Sequence, residues 1–163
     1  MVRVMIRVRV MVMVRVMVRV RGRHQDRNSV PNALIQLPLV GVANGWRPLA
    51  GNIIEKTIEK FTAPNQQISA WLGPAIGPTA FEVGSDVVNA FTCMNSSHID
   101  DFTERQNKKF LADIFSIAKR QLSSLGITQI YSHYECTFSM PTKYFSYRRD
   151  AITGRLATLI WRK

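Results

Sequence analysis

The segment ISAWLGPAIGP at residues 68–78 contains the clearest fold signal in this chain of 163 residues. The apolar residues from Ile68 to Leu72 predict a buried strand. Gly73-Pro74 and Gly77-Pro78 then bracket a loop, and the fixed φ of proline makes that loop rigid. We therefore expect one strand of a sheet to end in a loop of defined shape.

Strands and helices are predicted to alternate on both sides of this segment. The regular βαβ rhythm of a doubly wound sheet is absent, which favours an α/β or α+β fold with a mixed sheet and flanking helices. The expected elements are a strand over 37–43, a turn at Asn44-Gly45, a helix over 48–61, a short helix capped by Ser85, a helix from about Glu104 to Leu125 ended by Gly126, and strands over 127–131 and 156–161.

The start of the chain is a low-complexity repeat. Residues 2–20 place Val or Ile at every even position and Met or Arg at every odd one. A period of two is a strand template, but strands usually have about 3–10 residues. We interpret residues 1–27 as a Val/Met/Arg repeat translated from simple-repeat DNA, 28–36 as a linker and 37–163 as a globular domain. The alternatives are a basic arm that binds nucleic acid or a membrane, or a targeting segment.

The net charge of +11 is concentrated in this repeat. Residues 1–27 hold eight Arg and one Asp, a net charge of +7, so the remaining residues carry only +4. The body is therefore not expected to bind nucleic acid. Two cysteines without C-x-x-C spacing favour a reducing compartment, the cytoplasm. No signal peptide or membrane span is predicted.

Four segments together resemble the YfiH-type family (polyphenol oxidase or laccase-like, purine nucleoside phosphorylase, peptidoglycan editing factor). The resemblance covers only the family's C-terminal part, from about Leu37 to Lys163. The segments are Gly45-Trp46-Arg47, residues 71–78 with 81–84, Cys136-Thr137, and residues 145–150 with Thr153-Gly154-Arg155 and Ile160-Trp161.

The resemblance implies a cytoplasmic metalloenzyme with a fold related to the cytotoxic necrotizing factor catalytic domain. Family members are purine nucleoside phosphorylases acting on adenosine, inosine and methylthioadenosine with phosphate. Adenosine deaminase and laccase-like polyphenol oxidase activities are also attributed to them. Their zinc or copper site is implied to use two His and one Cys.

This sequence departs from the family at the metal site. Ala43 stands where the family has a His before the Gly45-Trp46-Arg47 element, and the other two ligands fall in the part replaced by the repeat. His24 and His98 match no ligand position. Because zinc catalysis needs about three protein ligands, we expect no bound metal and an N-terminally truncated, inactive fragment. Uncovered sheet edges would favour self-association.

Three arginines are the candidate substrate-binding residues. Arg47 follows the family's site loop, and a guanidinium there is suited to a phosphate group. Arg148 and Arg149 could form a second anion contact, but arginines beside Asp150 more often form a structural ion-pair cluster. We interpret Cys136 as a structural thiol rather than a nucleophile; the sequence assigns no role to Cys93.

Overall fold

A computed structural model describes residues 14–20, 42–61 and 64–154. Its strands are β1 (Val14–Val20), β2 (Val42–Asn44), β3 (Ile68–Leu72), β4 (Glu82–Gly84), β5 (Phe102–Glu104), β6 (Lys109–Ala112) and β7 (Gln129–Ser132). Its α-helices are α1 (Trp46–Ala50), α2 (Ile53–Ile58), α3 (Ser85–Thr92), α4 (Ile114–Ser124) and α5 (Tyr147–Asp150), and short 3-10 helices span Asn65–Gln67, Ser96–Asp101 and Gln106–Lys108. In these ranges no helix has the length and apolarity needed to cross a membrane.

The main sheet has the order β2-β1-β3-β7 and combines antiparallel and parallel pairs. β1 is antiparallel to both β2 and β3, whereas β3 and β7 are parallel. The predicted strand Ile68–Leu72 is therefore confirmed, with β1 on one side and β7 on the other. The mixed α/β class expected from the sequence is confirmed as well.

Part of the N-terminal repeat belongs to this sheet. Residues 14–20 form β1, so seven residues of the alternating repeat adopt the strand conformation that a period of two indicates. The predicted boundaries 1–27, 28–36 and 37–163 stay predictions, because most of the first two segments lies outside the described residues. The same holds for the strand predicted over 156–161 and for the first part of the strand predicted over 37–43.

The helix predicted from Glu104 to Leu125 is wrong over its first half. Residues 102–112 form an antiparallel hairpin of β5 and β6, which pairs with β4 in a second, three-stranded sheet. Asn107 and Lys108 have φ of 58° and 55°, a left-handed conformation that turns the hairpin and cannot continue a helix. The helix begins only at Ile114, after Asp113 accepts hydrogen bonds from the backbone N–H of Phe115 and Ser116.

The helix predicted over 48–61 is also divided in two. Asn52 lies between α1 and α2 with φ of 60°, in the left-handed region that asparagine tolerates better than most residues. Ser85, predicted as a cap, is the first residue of α3, and Gly84 occupies the N-cap position. Gly126, at φ of 79°, follows α4 as predicted.

One hydrophobic core joins the sheets and helices. α4 packs against α2 and contacts β1. The fully buried large side chains come from the strands, α1 to α4 and the loops between them: Leu49, Ile54, Ile68, Leu72, Ile76, Phe81, Phe91, Ile114, Ile117, Leu122 and Ile127.

Replacing Asp113 by alanine should lower the free energy of unfolding by about 1 kcal/mol, because two backbone N–H groups at the start of α4 lose their acceptor. Asp113→Asn should keep most of that stability, since asparagine caps helices about as well. Urea unfolding followed by circular dichroism measures both variants. Equal stability of wild type and Asp113→Ala would contradict the assigned start of α4.

Candidate functional site

Three strands of the main sheet end at the same edge. β2 and β3 are both antiparallel to β1, and β7 is parallel to β3, so β2, β3 and β7 run in one direction. Residues 45–47, 73–77 and 133–136 therefore leave the sheet at the same end, the last two from neighbouring strands and the first from across β1. We call these three segments the sheet edge. In open α/β sheets, ligands bind beyond the carboxyl ends of the strands, which makes this edge the candidate site.

The loop after β3 is held against the segment after β7. Ala75 and Cys136 extend the parallel pairing as an isolated bridge, and Thr137 N donates to Ala75 O at 2.8 Å. The backbone N–H of Gly77 donates to Cys136 Sγ at 3.1 Å. A Cβ at Gly77 would lie 3.1 Å from Cys136 Cβ, so this close approach favours glycine.

The Cys136 thiol is not in a disulfide, and it takes part in this contact. Burial raises the pKa of Cys136, but hydrogen bonds from Ser139 and the Gly77 N–H outweigh it and leave the pKa below its ordinary value. The thiol is half-buried.

A cluster around Glu135 lies beside Cys136. Lys143 Nζ donates to Glu135 Oε1 at 2.5 Å, Tyr144 donates its hydroxyl proton to Glu135 Oε2, and His133 Nε2 lies 3.5 Å from Oε1. The Lys143 bond, followed by the Tyr144 bond, lowers the pKa of Glu135. Sequence reasoning missed this cluster, although its members lie within twelve residues of one another.

Arg47 is the predicted site residue with an available guanidinium. It is the second residue of α1 and is exposed, with its Cζ 4.5 Å from the centroid of the Trp46 ring. Among the described residues no carboxylate or carbonyl accepts a hydrogen bond from it. A cation that stacks on an aromatic ring keeps its N–H edge for an anion.

Arg148 and Arg149 are engaged with the protein to different degrees. Arg148 donates once, to Glu82 O at 2.7 Å, and lies over the Phe81 ring. Arg149 donates to three backbone carbonyls and forms a bidentate pair with Asp150. The three carbonyls belong to Thr137, Phe138 and Tyr144. Arg149 therefore ties α5 to the segment that follows the sheet edge.

The donor atoms present do not fit a three-ligand metal site. Ala43, at the predicted ligand position in β2, carries only a methyl group. Over residues 14–20, 42–61 and 64–154, no three His, Cys, Asp or Glu side chains are grouped so that they could hold a metal ion. The rest of the chain contains only His24 and Asp26 among these residue types. Three side chains at the sheet edge carry atoms that could bind a metal: Cys136 Sγ and Glu135 already accept hydrogen bonds, and His133 Nε2 lies 3.5 Å from Glu135 Oε1.

We predict that Arg149→Ala lowers the free energy of unfolding by roughly 2 kcal/mol, since it leaves several carbonyls and Asp150 unpaired. Arg47→Ala, which removes an exposed guanidinium, should change it by less than about 0.5 kcal/mol. Urea unfolding of wild type and of both variants measures the two losses in the free energy of unfolding. Equal losses would show that the two arginines are not in the different environments described.

Residues 38–163 match the family model described as multi-copper polyphenol oxidoreductase laccase. A Haemophilus influenzae protein named purine nucleoside phosphorylase is 45% identical over 119 residues, which are 72% of this chain and 49% of that protein. An Escherichia coli protein named purine nucleoside phosphorylase YfiH is 43% identical over 117 residues, 72% of this chain and 48% of that protein. The chain spans about half the length of these relatives.

Solved structures show the same fold. The Neisseria meningitidis protein NMB0706 superposes with a TM-score of 0.76 at 32% identity, over 87% of this chain and 53% of that one. YlmD from Geobacillus stearothermophilus superposes with a TM-score of 0.62 at 26% identity, over 87% of this chain and 50% of that one. This chain therefore shares the fold of these structures over 87% of its length.

Proposed function

Since this chain belongs to the multi-copper polyphenol oxidoreductase laccase family, we propose that its sheet edge derives from the active site of a YfiH-type purine nucleoside phosphorylase. We also propose that these 163 residues do not catalyse that reaction. The relatives at 43–45% identity that carry the phosphorylase name support the first part. The lack of three grouped metal-ligand side chains in the described residues supports the proposal that the chain is inactive.

The presence of alanine at position 43 is the main support for the proposal that the chain is inactive. A hydrolytic or phosphorolytic metal centre needs about three protein ligands and one open position. The side chain at position 43 has no donor atom, and the described residues group no three donors. The residues present therefore support no reaction step that runs through zinc or copper. Adenosine deamination and polyphenol oxidation are also proposed for the family. This chain would lack the bound metal for these reactions too.

Arg47 is the residue that we propose for the phosphate contact. It follows β2 directly at the sheet edge, is exposed, and has a guanidinium edge without a partner among the described residues. A planar guanidinium can pair with two phosphate oxygens at once. Arg149 is less suited to this role because Asp150 and three carbonyls already accept from it. Arg148 has one hydrogen bond to Glu82 O and could add charge nearby.

The natural ligands would be a purine nucleoside and phosphate, and the proposed compartment is the cytoplasm, as expected from the two free cysteines. The alternative of a basic nucleic-acid or membrane binder acting through residues 1–27 is not favoured by any contact of the described part. Seven residues of that segment pair within the sheet as β1.

The test is an assay of inosine phosphorolysis with excess phosphate and with added zinc or copper. The release of hypoxanthine is the measured signal. We expect no release above the background without protein. The Escherichia coli relative, measured in the same buffer, is the positive control that shows the assay works. Metal-dependent turnover by the purified 163-residue chain would refute the proposal of an inactive site.

The phosphate contact has its own readout in the same samples, the line width of the ³¹P resonance of inorganic phosphate. Wild type should broaden this resonance, whereas Arg47→Ala should broaden it much less. Lys56→Ala, which removes an exposed cation that bonds Gly51 O, is the matched control and should resemble wild type. Unchanged broadening in Arg47→Ala would exclude Arg47 as the anion contact.

A further inference from the structure

The first strand of the sheet places an arginine of the N-terminal repeat beside the sheet edge. Because β1 is antiparallel to β2 and β3, it begins at the end of the sheet where those two strands stop. Arg15 stands directly opposite Ala43, one position before the end of β2. Directly opposite residues in an antiparallel pair have Cα atoms about 4.5–5.5 Å apart. An arginine therefore starts next to the position at which the family resemblance implies a metal ligand.

Position 15 lies on the face of the sheet opposite to the buried face of β3. Directly opposite residues share a face, and so does every second residue along a strand. Val16 stands opposite Leu72, which is 0% exposed, so position 15 belongs to the other face. That face also carries Trp71, which is half-buried, and Tyr131, which is 56% exposed. In the described part of the chain, it is the face that solvent reaches.

The register brings no carboxylate directly opposite this arginine. The residues paired with β1 are Val42, Ala43 and Asn44 on one side and residues 68–72 on the other, and none of them is acidic. A guanidinium has five N–H donors and keeps its charge in proteins. An anion from solution is the partner that this arrangement favours.

Arg47 supplies a second guanidinium at the same end of the sheet. It lies four positions after Ala43, and an extended chain of that length spans at most about 14 Å. Arg47 is exposed and lies over the Trp46 ring. Guanidinium groups pair with the oxygens of phosphate, so two of them near one position are suited to one phosphate group. Their two positive charges would also repel a metal cation.

We propose that the repeat makes the sheet edge an anion site, in which Arg15 and Arg47 together hold one phosphate group beside Ala43. This inference rests on the phosphate contact proposed for Arg47 and adds a residue that the family resemblance does not supply. The phosphate is either free or carried by a nucleoside. A nucleotide base would stack on the aromatic residues of the same face, Trp71 and Tyr131.

The two-residue period of the repeat makes the register of β1 decisive. A slide by two residues in either direction still places valine opposite Leu72 and Ala70. Such a slide would bring Met13 or Met17 opposite Ala43 in place of Arg15, and the thioether of methionine has no N–H donor for phosphate. The proposed site therefore exists only in the register that the structure shows.

Arg15→Met and Arg19→Met are the matched variants, because methionine is the other residue type at the odd positions of the repeat. Both remove one charge and keep the alternating pattern. Arg19 stands opposite Ser69, about 13 Å further along the strand, which exceeds the screening length at physiological salt. Calorimetry with inorganic phosphate and the full chain should show about fivefold weaker binding for Arg15→Met and less than about twofold for Arg19→Met.

Adenosine monophosphate and adenosine distinguish the two sources of the phosphate group. Binding of the monophosphate at least about tenfold tighter than that of inorganic phosphate would assign a nucleotide, whereas equal binding would assign free phosphate. Adenosine has no phosphate, so its affinity should be the same for wild type and Arg15→Met. A loss of adenosine binding in Arg15→Met would count against a phosphate contact.

Ala43→Glu is a second variant, which replaces Arg15→Met if that variant does not fold. Its carboxylate would pair with Arg15 across the strands and should weaken phosphate binding at least about tenfold. Equal losses in Arg15→Met and Arg19→Met, wild-type affinity in Arg15→Met or Ala43→Glu, or no phosphate binding at millimolar concentration would overturn the inference. Wild-type affinity in Arg47→Ala, beside a loss in Arg15→Met, would refute only the contact proposed for Arg47.

Discussion

The pairing of β3 with its two neighbours is the interaction on which the rest of the structure depends. Ile68, Ala70 and Leu72 of β3 are at most 1% exposed, while its backbone pairs with β1 on one side and with β7 on the other. Together with the antiparallel pairing of β2 with β1, these pairings make β2, β3 and β7 run in one direction, so their carboxyl ends lie at the same end of the sheet. The sheet edge is therefore a consequence of strand order and not of any local motif.

Beyond the strands, the edge is stabilised by polar contacts that do not require a metal. The Gly77 N–H donates to Cys136 Sγ, and Arg149 joins α5 to the carbonyls of Thr137, Phe138 and Tyr144. Such contacts can preserve the shape of a site after its chemistry has been lost. A shared fold does not imply a shared activity, because activity depends on the particular side chains placed in the site. At Ala43 the chain keeps the fold of the family but has no metal-binding side chain, which the proposed ancestral activity would need.

The sequence was informative where a signal was local. The apolar run from Ile68 to Leu72 between turn residues predicted β3 correctly. The helix predicted from Glu104 was wrong because Phe110 lies four residues before Ile114, a helical spacing that in fact crosses from β6 into α4. Asp113, an N-cap residue directly before apolar positions, was the signal that could have corrected it.

Features made by distant residues could not be read from the sequence. The orientation of the Gln121 amide depends on its bond to Leu49, which lies 72 residues away along the chain. The carbonyls of Thr137, Phe138 and Tyr144 that accept from Arg149 could not be foreseen, whereas Asp150 beside it already favoured a structural ion-pair cluster. By contrast, the absence of a donor at position 43 required only the residue type and the family resemblance.

A zinc titration tests the central claim most directly. The purified chain would compete with a chromogenic chelator for zinc at neutral pH, and the bound metal would be counted per chain. Structural and catalytic zinc sites hold the metal tightly once three or four ligands are in place. We predict that the chain binds no stoichiometric zinc with a dissociation constant below the order of micromolar. One tightly bound zinc per chain would contradict it.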